Sequence, residues 1–506
     1  MRVRELKTQY LAMLLTILLG ASATMGEPDT TWRRTLDQWF IMEINDEPAG
    51  YMHSIVETTG EQFRTVNEQY ISIKRFSQAI EIEMSTTFVE TADHTPISIE
   101  TTRKMSQGAT TTTWTFHDEH IMQRTVAAGR TIEKQKPFPE GEWLTPRAVH
   151  EYWLKRREAD AENISYRTIM PDQGLAPVNV TSTLIDEHKA QIGGRMIPVT
   201  VWETSISALP TPFIEKYSVD GYVVHTEMNM GGMRMVGRSA TKAEALALND
   251  EQAPELLVST FVEPDRPIEN IFKTTRIRYR VRSRNGKAVR LPSTGAQRVR
   301  PDGDDAVIVD VNLDQPQPAT GDERRDAAYR ERSATIDSGD ELVVKLAKRA
   351  LHGVEDDDLI THAEILRAFV YEYISKKGLA TAFAGASETA RTRKGDCSEH
   401  AVLLAAMLRA RNIPARVATG LLYVDEFAGE KQIFGWHMWT QALIDGKWID
   451  LDATLPTHYH AGHILTGVSS LSENTLTAEF SSILQLMGNI DIEVMDVTSK
   501  RKTKVE

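Results

Sequence analysis

A chain of 506 residues is longer than one ordinary hydrophobic core supports, so two or three domains are expected. A hydrophobic fraction of 41% and a charged fraction of 25% describe a soluble globular protein. The net charge of −13, offset by no basic block, argues against nucleic acid or another polyanion as partner.

Arg2, Arg4 and Lys7 precede an apolar run from Tyr10 to Gly20, and Ala21-Ser22-Ala23 follows it. Basic, apolar and small-residue regions in that order predict a signal peptide over residues 1–26 and an exported protein, periplasmic or extracellular. The apolar run is shorter than the ~20 residues that span a bilayer, and no comparable run occurs downstream. The mature chain is therefore expected to carry no integral membrane segment. With one cysteine in the whole sequence there is no internal disulfide framework, and none sits beside the signal for lipid attachment. A lone thiol in an exported chain is either an inert buried group or a reactive one, and its surroundings decide.

Residues 30–250 read as an antiparallel β-rich domain, with strands at Trp39–Ile44, Ala79–Met84, Thr111–Phe116, Val199–Ile206 and Tyr222–His225. One helix is expected near Arg147 to Glu158. Residues 254–314 read as a small β module whose clearest strand is Thr275–Val281. Residues 315–338, polar and charged with Pro316, Pro318 and Gly321, read as a linker. After it the period becomes helical, at Leu342, Leu346 and Ala350 and again at Ile365, Ala368 and Phe369, opening a catalytic domain over 339–475. Residues 476–506 are assigned to a C-terminal extension.

The chemistry gathers between Arg393 and Pro456. Asp396 is a good N-cap, and Glu399 three residues on completes a capping-box pattern, so Cys397 becomes the first residue of a helix. There the unpaired N–H groups and the positive end of the macrodipole favour a thiolate, and the same N–H groups supply one arm of an oxyanion hole. Ala401, Leu404, Ala405 and Leu408 share its face, and Ile413-Pro414 marks the stop. A strand from Ala415 to Tyr423 follows. Asp445-Gly446 then signals a two-residue hairpin turn between Trp436–Ile444 and Lys447–Asp452.

Such a turn pairs Ile444 with Lys447 and sets His437 opposite Thr454. Asp452, two residues earlier on that strand, shares the face of His437, a diagonal separation of about 7–8 Å that a His–Asp hydrogen bond spans. Asp450 lies one step farther, so Asp452 is preferred. A three-residue turn would put Asp452 on the opposite face. Cys397, His437 and Asp452 are thus the expected catalytic triad: nucleophile, base and orienting carboxylate of a thioester mechanism.

Three blocks resemble the transglutaminase-like superfamily: Gly395-Asp396-Cys397-Ser398-Glu399-His400-Ala401, Gly435-Trp436-His437-Met438-Trp439, and Trp448-Ile449-Asp450-Leu451-Asp452-Ala453-Thr454. Ala453 departs from the Pro often found there in the family. The resemblance covers about Thr335 to Pro456. It implies an α+β protein whose C-terminal core is papain-like, with the Cys on a helix packed on an antiparallel sheet that carries the His and the Asp. It also implies a thiol enzyme acting on amide bonds of proteins or peptides, either a cysteine protease or amidase or a protein-glutamine acyltransferase that cross-links. Hydrolysis is favoured because water is the default acceptor unless a site excludes it. A reading of another class is a non-catalytic envelope scaffold. No cofactor or metal is expected.

Other residues receive plainer readings. His400, one turn from Cys397, lacks an orienting acid and reads as a packing residue. His458, His460 and His463 read as histidines on a polar loop rather than a metal site, since no Cys or patterned carboxylate joins them. Asp356-Asp357-Asp358 reads as a solvated turn. Trp436 and Trp439 either shield the site or fill the core.

Overall fold

The computed structural model describes residues 31–499, apart from 76–77, 106–108, 128–129, 210, 231–232, 248–252, 257, 356, 380–382 and 473–485. The expected signal peptide lies outside the described residues. Among the described residues no helix is long and apolar enough to cross a membrane.

Fourteen antiparallel strands between Arg33 and Ala240 form one sheet. The first eight make one meander and the last six another, and Arg33–Ile44 joins them by pairing with Met233–Ala240. Local chemistry sets the hairpins: Asn45 and Asp46, at φ 52° and 67°, form the two-residue turn linking Ile44 to Glu47. Positive φ at both positions matches the right-handed twist of the strands. The helix Pro146–Glu158 packs against both Gln62–Arg75 and Asn163–Ile169, strands eight places apart in the sheet order. A flat sheet would separate those strands by about 38 Å, and the helix is about 20 Å long. The sheet therefore curls around it. Trp153 of the helix anchors it against Trp202 and Ile164. Buried Glu90 accepts from the Arg147 N–H at 3.0 Å and from the Thr145 hydroxyl, placing a carboxylate at the helix N-terminus.

The second sheet runs Gln297–Pro301, Ala306–Asn312, Thr274–Ser283, Ile490–Ser499. Its last strand belongs to the expected C-terminal extension. Ile490, Ile492 and Val494 are buried while Asp491 and Glu493 are exposed, the period-2 pattern of a half-buried strand. The small module is thus completed from the far end of the chain. It shares a core with a third sheet, where Tyr279, Val281 and Val309 meet Leu421, Tyr423, Phe434 and Ile464.

This third sheet runs Lys447–Leu451, Glu430–Ile444, Ala415–Phe427, His463–Ser469. Its other face carries the helix Cys397–Ala410, enclosed by Glu341–Ala350, Leu359–Tyr373 and Ala386–Thr392. Every residue from Ser398 to Arg409 is buried, so this helix is central rather than one-sided. Asp358, expected in a solvated turn, caps the helix Leu359–Tyr373.

Residues 315–338 do not behave as a free linker. Thr320 and Glu323 form a capping box, and Ala319 and Tyr329 pack on Trp448. Glu323 Oε1 accepts from Arg416 Nη1 at 2.7 Å and Trp448 Nε1 at 3.2 Å, while the Arg416 guanidinium lies 3.8 Å over the Trp448 ring. Polar composition marks this segment as unable to form its own core, and it is held by a neighbouring one instead.

Candidate active site

The helix Cys397–Ala410 begins with the expected capping box. Asp396 Oδ1 accepts from the Ser398 N–H at 2.9 Å, and Glu399 Oε2 accepts from the Asp396 N–H at 2.8 Å. Glu399 is fully buried and also accepts from the Ala384 N–H at 2.7 Å. Burial first, then the neighbouring Asp396 charge, raises its pKa to about 8. A Cβ on Gly395 would lie 2.3 Å from Glu399 Cβ, so only glycine lets the chain pass this acid. Cys397, the first helical residue, is half-buried.

The hairpin has the register expected from its turn. Asp445 and Gly446 adopt φ 50° and 75°, Ile444 pairs with Lys447, and the ladder continues to Thr440 opposite Leu451. His437 and Asp452 consequently meet: Asp452 Oδ2 accepts from His437 Nε2 at 2.8 Å. Asp452 Oδ1 accepts from the Thr454 N–H at 2.8 Å and the Thr454 hydroxyl at 2.6 Å, which hold that oxygen. Nε2 of His437 is thus committed to Asp452, and the Cys397 side chain lies close enough to the ring to raise its pKa. The structure therefore brings Cys397, His437 and Asp452 together.

Electrostatics follow from this geometry. Burial alone would lower the pKa of His437, but the Asp452 charge and the hydrogen bonds to Asp452 and Cys397 outweigh it and raise the pKa to about 10. Burial alone would raise Asp452, but His437 and His463 hold it well below the usual carboxylate range. Asp450 has a different task. It accepts from Trp439 Nε1 and Gln441 Nε2, both at 2.8 Å, and from the Ala296 N–H at 2.7 Å, tying the small module to the hairpin.

His400 is buried, with Nδ1 2.6 Å from the Asp396 carbonyl and Nε2 3.2 Å from Lys377 Nζ. Burial lowers its pKa to about 4, so it packs as a neutral ring. Trp439 is wholly buried and near-parallel to His437 at 6.2 Å, while Trp436 packs with the core of the small module. Ala453 is buried beside the helix Cys397–Ala410.

The histidine cluster corrects the polar-loop expectation. Only His458 is exposed; His460 and His463 are buried, and His463 begins a strand. His463 Nε2 lies 3.0 Å from Asp452 Oδ2, so one carboxylate oxygen meets two imidazoles. The H-x-H-x-x-H spacing was the available signal, but the pairing of His463–Ser469 with Ala415–Phe427 is set by packing, not by a local turn. His437, Asp452 and His463 place three potential ligand atoms within 4.8 Å of one another. Both ring nitrogens point at the same carboxylate oxygen, at hydrogen-bond distances, so these atoms are already committed to one another.

Residues 345–453 match the family model of the transglutaminase-like superfamily. Among solved structures, the chain is similar to a candidate cysteine protease from Cytophaga hutchinsonii, at 17% identity and a TM-score of 0.27, over 45% of this chain and 86% of that one. It is also similar to a candidate protease from Parabacteroides distasonis, at 11% identity and a TM-score of 0.17, over 73% of this chain and 69% of that one. No curated protein matches it.

Proposed function

From the premise that residues 345–453 are a transglutaminase-like core, we propose that this protein is an exported thiol enzyme that cleaves amide bonds in proteins or peptides. The supporting observation is the buried His437 ring, hydrogen-bonded to Asp452 and set beside the Cys397 side chain. The Cys397 thiolate attacks the amide carbonyl carbon. A C–S bond forms, and the carbonyl electrons move onto oxygen, where the N–H groups at the start of the helix stabilise them. Collapse breaks the C–N bond, and His437 gives its proton to the leaving amine. Water then attacks the thioester, His437 takes the proton, and the thiolate departs. Asp452 orients the ring and stabilises its charged form throughout.

The test combines iodoacetamide labelling at neutral pH with hydrolysis of a casein or peptide substrate. Labelling at Cys397 and loss of hydrolysis in Cys397→Ala are expected. An unlabelled Cys397, or undiminished hydrolysis in Cys397→Ala, overturns the reading. Adding an amine such as a fluorescent cadaverine separates hydrolysis from acyl transfer, and free acid is the expected product.

A further inference from the structure

His463 plays no part in the mechanism above, yet it is fully buried beside it. Its Nδ1 lies 2.8 Å from the His460 carbonyl oxygen, and its Nε2 lies 3.0 Å from Asp452 Oδ2. The ionised carboxylate of Asp452 can only accept, so Nε2 is the nitrogen that donates to it. The ring is fixed by stacking on Tyr459, with centroids 4.0 Å apart, and by an edge contact with Trp439 at 5.1 Å. The titratable groups around it are Asp452, Asp450, His437, His460 and Tyr459.

We infer that His463 is a positioning residue of this site, a second imidazole that donates from Nε2 to Asp452 Oδ2 and locks the carboxylate in the orientation His437 requires. This rests on the thiol-enzyme reading. Thr454 holds one oxygen of Asp452, and His463 and His437 share the other. Without His463 the buried carboxylate keeps its bond to His437 but loses the second donor on that oxygen. It is then free to rotate about its remaining contacts, and the His437 ring turns with it. The role is orientation, so its loss should appear in the chemical step rather than in substrate binding.

The test is made on the full chain. His463→Phe preserves a planar ring and removes the donor. It is expected to slow Cys397 alkylation and kcat by about tenfold, equivalent to ~1.4 kcal/mol, with KM unchanged. His463→Gln, which returns an N–H near the position of Nε2, is expected to recover most of that loss. Unchanged alkylation and kcat in a folded His463→Phe, or equal loss in both variants, overturns the inference. Nitrogen-15 NMR of the wild-type histidines decides independently of whether either variant folds. A hydrogen on Nε2 of His463 is expected, and a bare Nε2 overturns the proposal. Failure of wild-type Cys397 to alkylate would instead sink the thiol-enzyme reading, and the NMR result would still decide whether His463 donates to Asp452.

Discussion

The ion pair of His437 and Asp452 ties stability to pH in two directions. His437 is raised from 6.5 to about 10, so the folded state holds a proton there that the unfolded chain releases. Its contribution is complete below pH 6.5 and is lost as pH rises through about 10. Asp452 is depressed below its ordinary 3.8, so its contribution is present above that value and lost as pH falls through the folded pKa. Thermal melts across pH should therefore show a plateau bounded by both losses. Asp452→Asn should flatten both flanks, and an alkaline flank identical to wild type would contradict the coupling. Gly395→Ala makes a steric test at the same scale. Its methyl would displace Glu399 and break the capping box. A loss of about 1–3 kcal/mol in denaturant unfolding is expected, together with slower Cys397 alkylation.

At the scale of elements, the hairpin turn decides whether a site exists at all. Because side chains alternate across a strand, one residue inserted between Asp445 and Gly446 would shift the register and send Asp452 to the opposite face. The insertion should abolish alkylation at neutral pH while circular dichroism stays near wild type. This scale also shows which parts were legible in the sequence. The capping box at Asp396 and the Asp445-Gly446 turn are local devices, written in consecutive residues, and they carry the pairing of His437 with Asp452. His463 was not legible, because its strand joins an edge of the sheet through contacts remote in sequence. The packing of residues 315–338 was not legible for a related reason: their charges suggest solvent, yet Glu323 and Arg416 pair across 93 positions of sequence.

Across the whole molecule, the curled sheet reaches the candidate site through arginines. Arg75 Nη1 lies 2.8 Å from Asp396 Oδ2, immediately before Cys397, and Arg130 lies 2.9 Å from Asp337 and 2.8 Å from Asp340. Asp340 is fully buried and caps the helix Glu341–Ala350. Arg75→Glu would set a negative charge beside Asp396 and should slow Cys397 alkylation roughly threefold at low salt, within the ~1 kcal/mol range of such pairs. The effect should shrink at high salt, and a salt-independent change would point to altered packing instead. The strand Ile490–Ser499 imposes an order of events on synthesis. Thr274 and Ser499 meet across 225 positions. As the chain leaves the ribosome, the edge of Thr274–Ser283 stays open until those last residues emerge. The thiol, the histidines and the aspartate are all made earlier. The core that the small module shares with the sheet of Ala415–Phe427 is completed only when Ile490, Ile492 and Val494 arrive, so translation of this strand sets when it closes.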